Sequence, residues 1–444
     1  MNSRLEERLA VHFQANRSLL PPDALVSRVL EIPATHQDAS APAFRLWPHM
    51  QAHGGSRQRF LLVLAAALLL VVALASALAI GQSLPVTVEE LPPPNARGDF
   101  QPIGMLPRGA SPQALVAQPD GSALLVGGPV ILRFDPDTGQ FAEAARLQIP
   151  RILPATVVLD DGRVLIVGGG NDVQSPPPGE FRAEIYDPVA SASRLTAATI
   201  HPRAWGTATL LGDGRVLVTG GAAGGFAVAT AEIFDPATEQ FAETGSMLRP
   251  RSGHTAVLLD DGRVLLIGGS GSEAPPDAEL YDPATGQFSA ARPMSLPPGG
   301  SFGGGPNALL LSDGRVLILE AVGEGASLTT PIQFYDPASD EFALGPSVPS
   351  PRHDHRIALL DDGRVLIVGG WGDDAPGQAH DAFIYDPAAD AIVATDALND
   401  PRLAPFIATL SDGRVLVVGS QCWNPGCYGL GDDNAGAISA EIFD

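Results

Sequence analysis

From about residue 98 onward the apolar residues come in runs of four or five, each closed by a turn. The stretch 250–288 shows one whole unit. An apolar run at residues 255–259 meets an Asp261-Gly262 turn, and a second run ends in Gly268-Gly269. After a variable loop, a short strand closes on Tyr281-Asp282-Pro283, and Phe288 opens another. Asp-Gly between two apolar runs predicts a hairpin, because both central residues of a type I′ turn need positive φ. Runs such as Val164-Leu165-Ile166-Val167 are apolar throughout rather than alternating. That is the pattern of a strand covered on both faces.

The unit recurs. Its turn glycines stand at Gly121, Gly162, Gly214, Gly262, Gly314, Gly363 and Gly413, at intervals of 41, 52, 48, 52, 49 and 50 residues. Second strands end in glycine pairs at Gly127-Gly128, Gly168-Gly169, Gly220-Gly221, Gly268-Gly269 and Gly369-Gly370. Third strands end in an aromatic-Asp-Pro step, as at Phe134-Asp135-Pro136 and Tyr385-Asp386-Pro387. Six residues after that Asp an apolar anchor opens the fourth strand: Phe141, Phe241, Phe288, Phe342 and Ile392, with Leu195 offered two residues late in the second unit. A period near 50 residues with several short strands predicts a β-propeller, here with seven blades. The last unit stops after its third strand, at residues 441–444, while residues 98–106 resemble an unattached fourth strand. Joining the two closes the ring and removes two exposed edges.

These units resemble kelch repeats: Arg and His before the first strand, a Gly-Gly doublet, an aromatic-Asp-Pro, then an aromatic. Phe stands where that family usually carries Trp. The resemblance covers about residues 98–444. It implies an all-β, seven-bladed kelch-type propeller, distantly like the central domain of galactose oxidase.

Residues 1–97 read differently. Residues 1–59 carry two short helix-like patches, an arm expected to be partly helical. Residues 60–81 hold no charge and are long enough to span a bilayer as one helix. Arg57 and Arg59 precede this run, and Glu89 and Glu90 follow it. The positive-inside rule therefore expects a single-pass protein of the cell membrane, N-terminus cytoplasmic and propeller outside. Residues 75–77 offer a cleavage-like Ala-Ser-Ala, but a leader of 59 residues fits a signal peptide poorly. Residues 82–97 are a Pro-rich extracellular tether.

All 27 basic residues are arginines, and from residue 82 onward 20 of them face 45 acids. Such a surface argues against a nucleic-acid partner, which needs clustered positive charge.

Antiparallel order sorts the loops onto two rims. Asp-Gly-Arg turns and aromatic-Asp-Pro turns share one rim and are uniform. Interblade junctions and the loops between second and third strands share the other and vary, so binding is expected there. The variable rim carries Pro-Arg steps at Arg108, Arg151, Arg203, Arg251, Arg352 and Arg402, with His201, His254, His353 and His355. A ring of arginines can hold an anion or a partner's carboxylates. Alternatively each Arg pins one blade to the next, and repetition in nearly every blade favours that structural use.

Two units depart from the pattern. The fifth has a glycine-rich stretch at 297–305 and Leu319-Glu320 where a glycine pair belongs. The seventh leads into Cys422 and Cys427, the only cysteines, expected to pair in an oxidising compartment and to present Trp423 and Tyr428. Candidate contacts are therefore Trp423, Tyr428, Arg151, Arg203, Arg251, His254, Arg352, His355 and Arg402. The acidic loops at Asp373-Asp374 and Asp432-Asp433-Asn434 lack the ordered ligand spacing of a calcium site. No metal or cofactor is expected.

The function expected first is a membrane-anchored extracellular propeller that binds a protein or a glycan, without catalysis. The family resemblance supplies an enzymatic alternative, a copper-radical oxidase of the galactose oxidase type. Such a site needs two tyrosines, one cross-linked to a cysteine, and two histidines. Here Tyr186, Tyr281, Tyr335 and Tyr385 belong to the repeat, leaving Tyr428, and the cysteines are expected to pair with each other. A third reading is a signalling receptor whose arm docks a cytoplasmic partner.

Overall fold

The computed structural model describes residues 98–107, 112–169, 182–271, 278–296, 307–322, 328–370, 380–419 and 438–444. The arm, the apolar run 60–81, the tether 82–97 and the Cys422/Cys427 loop lie outside these residues. Among the described residues no helix is long and apolar enough to cross a membrane.

Seven antiparallel sheets make the blades. The unit of residues 250–288 is blade four: Thr255–Leu258, Val264–Ile267, Ala278–Asp282 and Gln287–Ala290, hydrogen-bonded in that order. Its turn is not the expected type I′: Gly262 has φ +85° but Asp261 is not left-handed, and Gly262 N donates to the Leu259 carbonyl at 2.9 Å, so a three-residue loop closes on a left-handed glycine. In blade one the second and third positions form one continuous element, Ala123–Asp135, with Gly127-Gly128 inside it. Blade three adds a small ribbon on its variable rim, Ala222–Ala223 paired with Phe226–Ala227.

First strands are mostly half-buried along their length, whereas second strands such as Val264–Ile267 are fully buried. Each first strand lies against the next in a closed cycle, so these strands line the central channel. The core lies between blades. Leu217, Ile233 and Met247 of blade three and its outgoing junction pack against Val264, Leu266 and Tyr281 of blade four. Burying each such side chain contributes about 1.5–3 kcal/mol, which explains why the second strands do not alternate with polar residues.

The ring closes through the chain ends. Phe100–Met105 is the outer strand of blade seven, paired with Ser439–Phe443, then Val415–Gly419 and Phe406–Thr409. Phe100 opposes Phe443 with ring centroids 4.9 Å apart, reproducing across the termini the Tyr281/Phe288 pair of blade four at 4.8 Å. Asn399 Nδ2 donates to the Phe100 carbonyl at 2.8 Å, tying the same strand to the junction between blades six and seven. In blade two, Leu195 does not take the anchor position. Ser193 opposes Tyr186 there and donates its hydroxyl to Glu184 at 2.8 Å, while Leu195 opposes Glu184.

Candidate functional site: the variable rim

The uniform rim is occupied by its own framework. In each Asp-Gly-Arg turn the Asp accepts from the backbone N–H and Nε of the Arg two residues on, as Asp261 does from Arg263 at 3.0 and 2.8 Å. The hydrogen bond from Arg215 is the main cause holding Asp213 below the usual carboxylate range. Arg263 also reaches the Pro337 carbonyl at 3.3 Å, and Arg414 reaches that of Pro136 at 3.2 Å, so these turns join neighbouring blades. In the aromatic-Asp-Pro step, Asp282 caps the backbone N–H of Ala284 at 2.9 Å. Such repeated contacts leave this rim little to offer a ligand.

On the variable rim each described junction arginine turns inward. Arg251 donates to the Gly268 carbonyl and to Glu279, both at 2.7 Å. Its own carbonyl accepts from Gly221 N at 2.9 Å, one blade back. One residue thus couples two blades. Arg151 with Glu184, Arg203 with Glu232 and Arg402 with Glu441 repeat the arrangement, all with buried side chains. The Glu also caps the incoming junction, as Glu441 accepts from Asn399 N at 2.8 Å and Asp400 N at 3.1 Å. Glycine is required at the crossing: a Cβ on Gly221 would stand 2.6 Å from the Ala204 carbonyl oxygen. Arg352 departs, pairing with the half-exposed Asp381 at 3.1 Å while its guanidinium lies over the Phe383 ring, which takes the place of the acid. The expected contact role for Arg151, Arg203, Arg251, Arg352 and Arg402 is corrected: their guanidinium groups are buried in framework hydrogen bonds, not presented at the channel mouth. Arg108 lies outside the described residues.

His254 and His355 are buried beneath the same rim. His254 Nε2 sits 2.8 Å from Thr219 Oγ1 and 3.1 Å from Thr207 Oγ1. Burial, with Arg251 and Arg203 nearby, pulls its pKa down to about 3. His355 Nδ1 is 3.1 Å from the Arg352 carbonyl, and burial pulls its pKa down to about 4. Both are neutral at physiological pH and act as packing groups rather than exposed contacts. Trp423, Tyr428, Cys422 and Cys427 lie outside the described residues.

Among the described residues, this rim exposes several large apolar side chains beside polar ones such as Gln148 and Asn399. Ile200, Trp205, Phe226 and Leu248 are 45%, 36%, 76% and 48% accessible, and all belong to blade three or the junctions that flank it. The residues two after Arg151, Arg203, Arg251 and Arg352 stand at the channel mouth, at the head of a first strand. At this position Leu153, Trp205, Gly253 and Asp354 all have positive φ, of 55°, 57°, 64° and 53°. Only glycine adopts this conformation freely; an L side chain costs roughly 1–2 kcal/mol. The backbone of the ring is linked, Gly253 N donating to the Trp205 carbonyl at 2.8 Å and Trp205 N to that of Leu153 at 3.4 Å. Sequence reasoning passed over Trp205, although aligning it with Gly253 in the opening unit marks it out.

Copper-radical chemistry needs phenolate and imidazole donors together. The repeat tyrosines point to the uniform rim, where Tyr335 and Tyr385 donate to Asp340 and Asp390 at 3.0 Å each. Burial, reinforced by those carboxylates, pushes both hydroxyls up, favouring the neutral phenol over a metal-binding phenolate. His254 and His355 lie in junctions two blades apart. Among the described residues no three His, Cys, Asp or Glu side chains gather closely enough to hold a metal ion. The described donor set does not fit copper.

No family model matches the chain, and no curated protein matches it. Among solved structures it is similar to a fungal alcohol oxidase of the AA5 family in complex with copper. The TM-score is 0.61 at 14% identity, over 79% of this chain and 76% of that one. At that identity the likeness establishes the seven-bladed propeller fold.

Proposed function

We propose that this chain is a binding propeller whose variable rim takes a protein or glycan partner. The observation that carries the reading is the exposure of Ile200, Trp205, Phe226 and Leu248 on one rim, in blade three and its two flanking junctions, opposite a rim consumed by its own turns. Exposed apolar groups in contiguous patches mark interaction surfaces. The uncharged run 60–81, with arginines before it and acids after, supports a cell-membrane anchor with the propeller outside. In that setting a Cys422/Cys427 disulfide would stiffen the loop presenting Trp423 and Tyr428. A cytoplasmic docking role for residues 1–59 rests on their helix-like patches alone.

The full-length chain, used as bait in a pull-down and on a glycan array, tests the reading through paired variants. Phe226→Asp on the variable rim is expected to abolish retention, and Val189→Asp, at a 95% exposed position on the uniform rim, to leave it intact. Equal loss from both, or loss from Val189→Asp alone, contradicts it.

A second reading is copper-dependent alcohol oxidation. It is supported by the likeness to the copper alcohol oxidase, which favours it over the binding reading on fold comparison alone. The placement of the described tyrosines and histidines weighs the other way, so any such site would draw on Tyr428 and the loop around it.

A further inference from the structure

We infer that Trp205 is the anchor of a protein-binding site on blade three, and that its partner is an apolar segment set between basic residues. This deepens the variable-rim reading and rests on it. Trp205 occupies a left-handed backbone position, which Leu153, Gly253 and Asp354 share in other blades. The equivalent residue one blade on is Gly253, whose φ of 64° is nearly that of Trp205 at 57°. The framework uses only the N–H and carbonyl of Trp205, both of which glycine also provides. The indole is thus an addition to the scaffold, kept where it strains the chain and partly exposed. Strain of this kind persists at binding clamps because the surrounding structure enforces it.

Backbone links that run through the buried Ala204, Ala222 and Met247 connect it to the other exposed apolar groups. Ala204 bridges to Ala222, which pairs with Ala227 beside the exposed Phe226. From there Ala229 accepts from Met247 N at 2.9 Å, next to the exposed Leu248. The alanines between Trp205 and Phe226 offer no side-chain hydrogen bond, whereas orienting a sugar requires several. An apolar peptide side chain needs none, and Trp is among the residues that dominate protein interfaces. The sign of the partner follows from the field of the propeller: 20 arginines against 45 acids from residue 82 onward attract a cationic segment and repel an acidic one.

The test selects peptides from a displayed random library on the full-length chain. Enriched peptides are expected to combine Leu, Phe or Trp with Arg or Lys. Their affinity should fall at least tenfold in Trp205→Gly and in Phe226→Asp, while Trp205→Gly melts at the parent temperature or above. If Trp205→Gly fails to fold, Trp205→Asn, which tolerates the left-handed backbone, carries the same expectation. Peptides that bind Trp205→Gly as well as the parent overturn the assignment, as does a library that yields no binder. Peptides lost only on Trp423→Ala also overturn it but leave the variable rim as the binding face. Loss only on Val189→Asp overturns both. A neutral glycan held through Trp205, with no peptide selected, replaces the protein partner by a saccharide and overturns the partner class.

Discussion

A carboxylate buried inside a blade is tolerated only where it is paired and its remaining lone pairs are satisfied. Glu279 meets that condition through Arg251 and the N–H of Leu248, at 2.7 Å each. Glu279→Ala should therefore destabilise the chain by about 3–5 kcal/mol, because it leaves Arg251 buried without its acid; urea unfolding checks it. At the position of Glu279, blade five carries an amide instead of an acid. No Pro-Arg step precedes it, and Gln333 exchanges two hydrogen bonds with Leu296, at 2.9 and 3.2 Å. Gln333→Glu is expected to destabilise, since it buries a carboxylate with no arginine opposite; a midpoint equal to the parent's contradicts this. The arginines were legible in the sequence as repeated Pro-Arg steps. Their acids were not, because a single Glu before Ile-Tyr or Leu-Tyr reads as ordinary strand polarity until the fold shows it facing the next junction.

His254 makes stability depend on pH. Unfolded, it takes a proton near 6.5; folded, only at about 3. Between those values the unfolded chain binds more protons, so the stability contributed by neutral His254 is complete above pH 6.5 and is lost as pH falls towards 3. Replacing it by Gln should flatten the melting-temperature profile between about pH 6 and 4, leaving the slope due to His355. An unchanged profile in the His254→Gln chain contradicts the burial of a neutral imidazole.

Among elements, the strand Phe100–Met105 carries the most consequence per residue. It caps the outer face of Ser439–Phe443 and supplies half of an aromatic pair that other blades make locally. Deleting residues 98–106 should lower the melting temperature markedly, and Phe100→Ala should cost about 3–5 kcal/mol; a deletion that melts like the parent contradicts closure by this strand. The strand was legible because its Phe and Gly match the fourth strand of blade three, and because the last unit visibly lacks one. Two features were not. The continuous element in blade one hides its break because the loop after Gly127-Gly128 is so short. Ser193 in blade two replaces the usual aromatic through a hydrogen bond to Glu184, which apolar pattern alone does not reveal.

At the scale of the whole molecule, a repeat suppresses information about function. Residues that recur in every unit proved to be framework, and the departures carry what is particular to this chain. Repeat alignment sets Trp205 opposite Gly253 and marks it as a departure, but only its φ and exposure show that it stands in a left-handed turn at the surface rather than in a core. The proposed function has this seven-bladed frame present a binding rim rather than a copper-radical centre. Metal analysis of the copper-loaded full-length chain, with peroxide release followed on a panel of alcohols, tests it most directly. Substoichiometric copper and no alcohol-dependent peroxide are expected; stoichiometric copper with alcohol-dependent peroxide would contradict the binding reading.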